Sequence, residues 1–185
     1  MRALPLENLS SPAAMARFVL TTVAGVWLDL WSKALAVEHL KEGRRGIAFI
    51  PGYLHFDYTE NHGAVFGIGQ GQRTLFLLVS VGAIAFLTYL FAQSGKQRWY
   101  QVLLGMLLAG VLGNLYDRFT YGYVRDMLHA LPKWGVFPWI FNVADSLLCV
   151  GVFLMLVHGL FQTHPTADAA TPRPEEEAGR AGGVR

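Results

Sequence analysis

Apolar residues in this chain are gathered into four long runs. Phe18 to Val37 is apolar apart from Asp29, Lys33 and a few small polar side chains, and Thr74 to Ser94 and Trp99 to Tyr116 carry no charge. Trp134 to Gln162 carries one charge, Asp145. A helix needs roughly 20 apolar residues to cross the hydrocarbon core, and about 17 can suffice. The pattern predicts four transmembrane helices, over about 16–37, 73–94, 98–118 and 138–162.

The connections differ in kind. Ser94 to Arg98 is a short turn with two cations and no acid, the mark of a cytoplasmic loop. Within the longer stretch 38–72, Leu54 to Thr59 alternates apolar and polar, as a half-buried strand does, and Gly63, Gly67, Gly69 and Gly71 follow. This segment is expected to form a small sheet on the membrane surface. A second surface segment, 119–137, carries Pro132 and Trp134, with Trp139 just beyond, and such indoles suit the headgroup level. Residues 1–15 are read as an N-terminal segment. Residues 163–185, with Pro165, Pro172, Pro174 and the run Glu175 to Glu177, are read as a disordered tail.

Composition narrows the classes. Of 185 residues 53% are hydrophobic and only 15% charged, too apolar for an ordinary soluble domain. A net charge of +2 without a basic cluster is too small to suggest a nucleic-acid partner. Cys149 is the only cysteine, so there is no intrachain disulfide or cysteine metal cluster, and a buried inert thiol is expected. His55, His62 and His129 lack metal-ligand spacing and are expected to be solvated. Counting Lys and Arg alone leaves the orientation across the bilayer open.

The remaining polar residues converge. Because successive helices reverse direction, the end of the first, the end of the third and the start of the fourth share one leaflet. Asp29 and Lys33, then Asn114, Asp117 and Arg118, then Asn142 and Asp145 occupy those three places. Charges at that depth are costly unless paired or hydrated, which makes them functional candidates. Asp29 and Lys33 are four apart on one helical face and read most simply as a structural ion pair. Asp117 and Arg118 also admit a structural reading, and Asp145 alone would suit a helix N-terminus. Gly110, Asn114 and Arg118 form a stripe at steps of four, with Gly110 allowing close approach of a neighbouring backbone.

Taken together, the motifs are Asp29-x-x-Ser32-Lys33, Asn61-His62-Gly63-Ala64-Val65-Phe66-Gly67, Gly110-x-x-Gly113-Asn114-x-x-Asp117-Arg118, Gly122-x-Val124-x-Asp126 and Phe141-Asn142-x-Ala144-Asp145-Ser146. In this order the set resembles the lipoprotein signal peptidases, the bacterial signal peptidase II family, over about residues 15 to 162. The resemblance implies an all-α polytopic membrane protein of four transmembrane helices. A small periplasmic β-sheet, the cradle, would precede the second helix, and a short surface helix would lie within Gly122 to Pro138.

It further implies an aspartic endopeptidase of the bacterial inner membrane, with both termini cytoplasmic and the site toward the periplasm. Its substrates would be prolipoproteins bearing diacylglyceryl-cysteine, cut on the N-terminal side of that cysteine. Asp126 and Asp145 would be the catalytic pair. Asn61, Asn114, Arg118 and Asn142 would line the site, supported by Asp29, Lys33, Asp117 and Gly110. No cofactor or metal is implied; membrane lipids are the expected surroundings and a monomer the expected state. Met127, where a Phe is common, and Glu60 before Asn61 depart from the family's pattern without touching the pair.

Two adjacent carboxyls can share one proton, so that one activates water while the other polarises the scissile carbonyl. A small ion-coupled transporter is the alternative, since intramembrane acids and bases also build proton pathways. Against it stand the absence of an internal repeat and the placing of the charges near one face rather than at the midplane. A non-catalytic membrane scaffold, a third class, has no need of two carboxylates at one level.

Overall fold

The computed structural model describes residues 11–41, 46–63, 69–135 and 139–161. The chain falls into two compact units, Met1–Met155 and Leu156–Arg185. The first holds the sheet, three of the helices and most of the fourth. Of the second, only the closing residues of the last helix, Leu156 to Phe161, are described.

Among the described residues, four helices are long and apolar enough to cross a membrane: α1 (Pro12–Leu40), α2 (Arg73–Gln93), α3 (Arg98–Thr120) and α4 (Val143–Phe161). Helix α1 starts where Ser11 accepts the amide N–H of Ala14 at 3.4 Å, with Pro12 in the first turn where its missing N–H is no loss. Its buried positions, Ala14, Phe18, Thr22, Asp29, Lys33, Ala36 and Leu40, recur at helical spacing and form one stripe. The upper part of that stripe packs apolar side chains, with Phe18 stacked on Phe91 of α2 at 4.2 Å. The lower part carries the ion pair that the spacing of Asp29 and Lys33 predicts, at 2.7 Å.

Helix α3 is the most enclosed, burying Leu103, Leu104, Leu107 and Leu108 together with Gly105, Gly110 and Gly113. The glycines explain how closely its neighbours lie. A Cβ on Gly110 would meet the Ala144 carbonyl oxygen and Leu148 Cγ of α4, each at 2.6 Å, and one on Gly113 would collide with the Asp29 carboxylate. Small residues matter here because lipid tails are as apolar as the side chains, so close packing must hold the helices together.

The four-stranded antiparallel sheet has the order β1 (Ile47–Ile50), β2 (Leu54–Asn61), β3 (Val124–Ala130), β4 (Ile140–Phe141). It therefore draws on both surface segments rather than on the first alone. Among the described residues of Gly122 to Pro138, where a surface helix is expected, the helical part is one 3-10 turn, Pro132–Trp134, and most of the segment ahead of it is β3. Gly122, at a φ of 87°, ends the helical path, after which Val124 to Ala130 pairs along β2. The register aligns Thr59 with Asp126 and Asn61 with Val124, with an irregularity between Phe56 and Thr59. Helix α4 starts at Val143 rather than near 138, because Ile140 and Phe141 pair with His129 and Leu128. Ala36 and Leu40 of α1 pack with Met127, joining the sheet to the helices.

The tail beyond 161 and the first ten residues lie outside the described residues. Cys149 is exposed on α4 rather than buried. His129 bonds Asp57 across the strands at 2.9 Å and is not simply solvated.

Replacing Gly110 by Leu should push α4 off α3 and destabilise the protein by about 1–3 kcal/mol, read as a lower midpoint of thermal unfolding in detergent. Gly82 of α2 faces open space, and Gly82→Ala should leave the midpoint unchanged or slightly raised.

Candidate active site

The polar residues form one connected network where α1, α3, α4 and the sheet meet. Its centre is the Lys33 ammonium, which has no exposure to solvent. Lys33 Nζ lies 2.7 Å from Asp29, donates to Asn114 Oδ1 at 3.0 Å, and stands 3.4 Å from Asp117. An unpaired charge here would be prohibitive, and these three partners offset its loss of water. Asp29 also accepts the N–H of Ala144 at 2.8 Å, satisfying one of the free amides in the first turn of α4.

The start of α4 explains how Asp145 is placed. Asn142 caps the helix, accepting the N–H of Asp145 at 2.8 Å, while Asn142 N–H reaches back toward the Asp145 carboxylate at 3.4 Å. This reciprocal arrangement has the geometry of a capping box, with Asp145 at the third helical position. Asn114 Nδ2 then donates to Asp145 Oδ1 at 2.8 Å. Because Asn114 Oδ1 is held by Lys33, the lysine's charge is relayed through the amide to that carboxylate.

Asp126 arrives from β3 and is 1% exposed. Asn142 Nδ2 donates to its Oδ1 at 2.6 Å, and Asn61 Nδ2, on β2, donates to its Oδ2 at 3.1 Å. The Asn61 carbonyl is itself held by the N–H of Gly63 at 2.9 Å, which fixes the amide's orientation. Burial first, and then the neighbouring charge of Asp145, pushes the Asp126 carboxyl up to about 7. Two carboxyl groups from different elements are thus tied to one residue, Asn142, which donates its side-chain Nδ2 to Asp126 and its main-chain N–H to Asp145, and whose Nδ2 also reaches Asn114 Oδ1 at 3.1 Å.

Arg118 donates to the carbonyl oxygen of Gly63 at 2.9 Å and lies over the Phe76 ring at 5.0 Å. With Asn114, Asp145 and Phe76 it borders a cavity of about 170 Å³ between α2, α3 and α4, floored by Gly110. An apolar cavity of about 370 Å³ lies on the other side, between α1 and the sheet, lined by Trp31, Leu35, Phe56 and Met127 among others. The described residues contain no group of three or more His, Cys, Asp or Glu that could hold a metal ion.

Every residue expected to form or support the site falls in this network or on its rim, but Arg125 was not among them. Its guanidinium binds Asp117 at 2.7 Å, so that Asp117 pairs with two cations. The only sequence signal was its place beside Asp126. The hydrogen bond from Ala144 N–H to Asp29 was equally invisible, because it depends on how α4 docks.

The family model for signal peptidase (SPase) II matches residues 21–161. The lipoprotein signal peptidase of Enterococcus faecalis is 40% identical over 134 residues, covering 72% of this chain and 81% of its own length. That of Streptococcus pyogenes serotype M1 is 39% identical over 141 residues, covering 76% and 90%. Two solved structures of bacterial membrane enzymes are similar in fold. One has a TM-score of 0.72 at 33% identity, with 77% of this chain and 87% of that one covered. The other has a TM-score of 0.70 at 32% identity, with 79% and 94% covered. A transporter finds no support among these relatives. The site is built on a multi-pass bacterial membrane scaffold, and the chain belongs to the signal peptidase II family.

Proposed function

We propose that this membrane peptidase removes signal peptides from prolipoproteins by aspartic chemistry, with Asp126 and Asp145 as the catalytic pair. The substrate is a precursor already carrying diacylglyceryl on its cysteine, and the cut falls on the N-terminal side of that residue. The observation that carries this reading is the bridging of both carboxyl groups by Asn142, which confines them to one small polar site.

The chemistry follows from the environment. With one proton shared between the two groups, the ionised carboxylate takes a proton from water, whose oxygen attacks the scissile carbonyl carbon. The protonated carboxyl donates to the carbonyl oxygen as the tetrahedral intermediate forms. Collapse of that intermediate breaks the C–N bond, and the proton taken from water passes to the cysteine nitrogen as it leaves. The proton belongs to the pair, and the elevated Asp126 carboxyl accounts for its retention near neutrality. Asn114, Asn142 and Asn61 hold the carboxylates, and Arg118 faces the substrate along the cavity wall. Lys33, Asp29 and Asp117 support the site from behind.

The signal peptide enters sideways from the bilayer through the cavity between α2, α3 and α4, leaving its acyl chains in lipid. Both termini are cytoplasmic, the site lies toward the periplasmic face, and the enzyme works as a monomer.

Asp126→Asn and Asp145→Asn, assayed separately on a lipidated precursor, should each lose at least about a thousandfold in turnover while inserting normally. Near-wild-type cleavage by either would refute the pair. Wild-type kcat/KM should fall as pH rises through about 7, because the shared proton is present below that value and lost above it. The Asn61 amide favours the charged form of Asp126, so Asn61→Leu should move this falling limb to higher pH.

A further inference from the structure

Arg125 stands immediately before Asp126 on β3, and successive strand residues point to opposite faces. Its contacts are concentrated on one carboxylate. Asp117 of α3, fully buried, accepts the Arg125 main-chain N–H at 3.0 Å, Nε at 3.1 and 3.2 Å, and Nη2 at 2.7 Å. The guanidinium also lies over the Tyr121 ring at 4.6 Å. A planar fork bound on two sides, with the adjacent amide on the same acceptor, leaves this point of β3 little freedom.

The charges behind the pair balance only when Arg125 is counted. Asp29 and Asp117 are matched by Lys33 and Arg125. Without the guanidinium, Asp117 would have Lys33 alone, and Lys33 already serves Asp29 and the Asn114 amide that holds Asp145. Loss of Arg125 would therefore reach Asp126 along the strand and Asp145 through Lys33 and Asn114.

We propose that Arg125 is a positioning residue for the hydrolysis: by clamping β3 to Asp117 it fixes Asp126 against Asn142 and keeps the buried charges behind the pair balanced. This rests on the reading of Asp126 and Asp145 as the reacting pair. The charged and titratable groups around them are Asp29 and Lys33 from α1, Asp117 and Arg118 from α3, and Arg125 itself, with Tyr58 and Tyr121 near the guanidinium.

The test compares the full-length wild type with Arg125→Leu, Arg125→Gln and Arg125→Lys on a lipidated precursor, per mole of folded enzyme. Arg125→Leu should lower kcat about tenfold or more with KM within about twofold, because the pair is misaligned rather than the substrate site lost. Its falling pH limb should move up by at least about 0.5 unit, since an uncompensated anion disfavours a further one. Arg125→Gln should behave alike, and carries the test should the Leu variant fail to insert. Arg125→Lys keeps the charge but not the fork; its limb should stay at the wild-type pH with only part of kcat recovered. Wild-type kcat and limb in folded Arg125→Leu or Arg125→Gln would overturn the proposal, as would a limb displaced equally in Arg125→Lys. Full activity in Asp126→Asn would instead overturn the reacting-pair reading, so the two failures are separable.

Discussion

Everything in the site depends on a lysine ammonium buried between helices. Lys33 has no access to solvent, and a charge so placed is tolerable only if the groups around it are held in a definite arrangement. Asp29 on the same helix and Asp117 and Asn114 on α3 provide that arrangement, and Asp29 extends it to α4 through the N–H of Ala144. Removing one partner of such a set typically costs about 3–5 kcal/mol, because the remaining charge is left uncompensated. The cluster therefore sets how α1, α3 and α4 meet, in a bilayer where hydrophobic force between helices is weak. Gly110 and Gly113 make the meeting sterically possible.

The two aspartates inherit their positions from that arrangement by different routes. Asp145 is held by the same geometry that starts α4, so its placement is as firm as the helix cap. Asp126 comes from a sheet strand, brought in by pairing with β2 and locked through Asp117 and Arg125. One asparagine joins the two routes. A site assembled from a helix terminus, a strand and a buried ion cluster suits proteolysis at the edge of a membrane. In the proposed reading the helices give an apolar peptide access from the bilayer, and the sheet closes over Asp126 and Asp145 from the other side.

Much of this was legible in the sequence, for physical reasons. Four spans were legible because hydrocarbon demands long apolar runs, and the helices Arg73–Gln93 and Arg98–Thr120 fall where those runs lie. The meeting of Asp29, Lys33, Asn114, Asp117, Asn142 and Asp145 followed from the alternating direction of helices and the cost of burying charge. The alternation at Leu54 to Thr59 marked β2, but β3 was missed. Val124 to Ala130 has no clear alternation, since Val124 to Met127 are all buried and the polar pair Arg125 and Asp126 is satisfied by Asp117 of α3 and by Asn61 and Asn142 of other elements. The contact of Arg125 with Asp117 was hidden because it depends on how the chain turns after α3, and the late start of α4 because it results from pairing of β4 with β3.

The proposed sharing of a proton between Asp126 and Asp145 is tested most directly by infrared difference spectroscopy of the protein in lipid, following the protonated carboxyl stretch across pH. A band that disappears with a midpoint near pH 7, is absent in Asp126→Asn and titrates at lower pH in Asp145→Asn is the predicted result, because the neighbouring charge helps raise the Asp126 carboxyl. No carboxyl titrating near neutrality, or one indifferent to Asp145→Asn, would contradict the account.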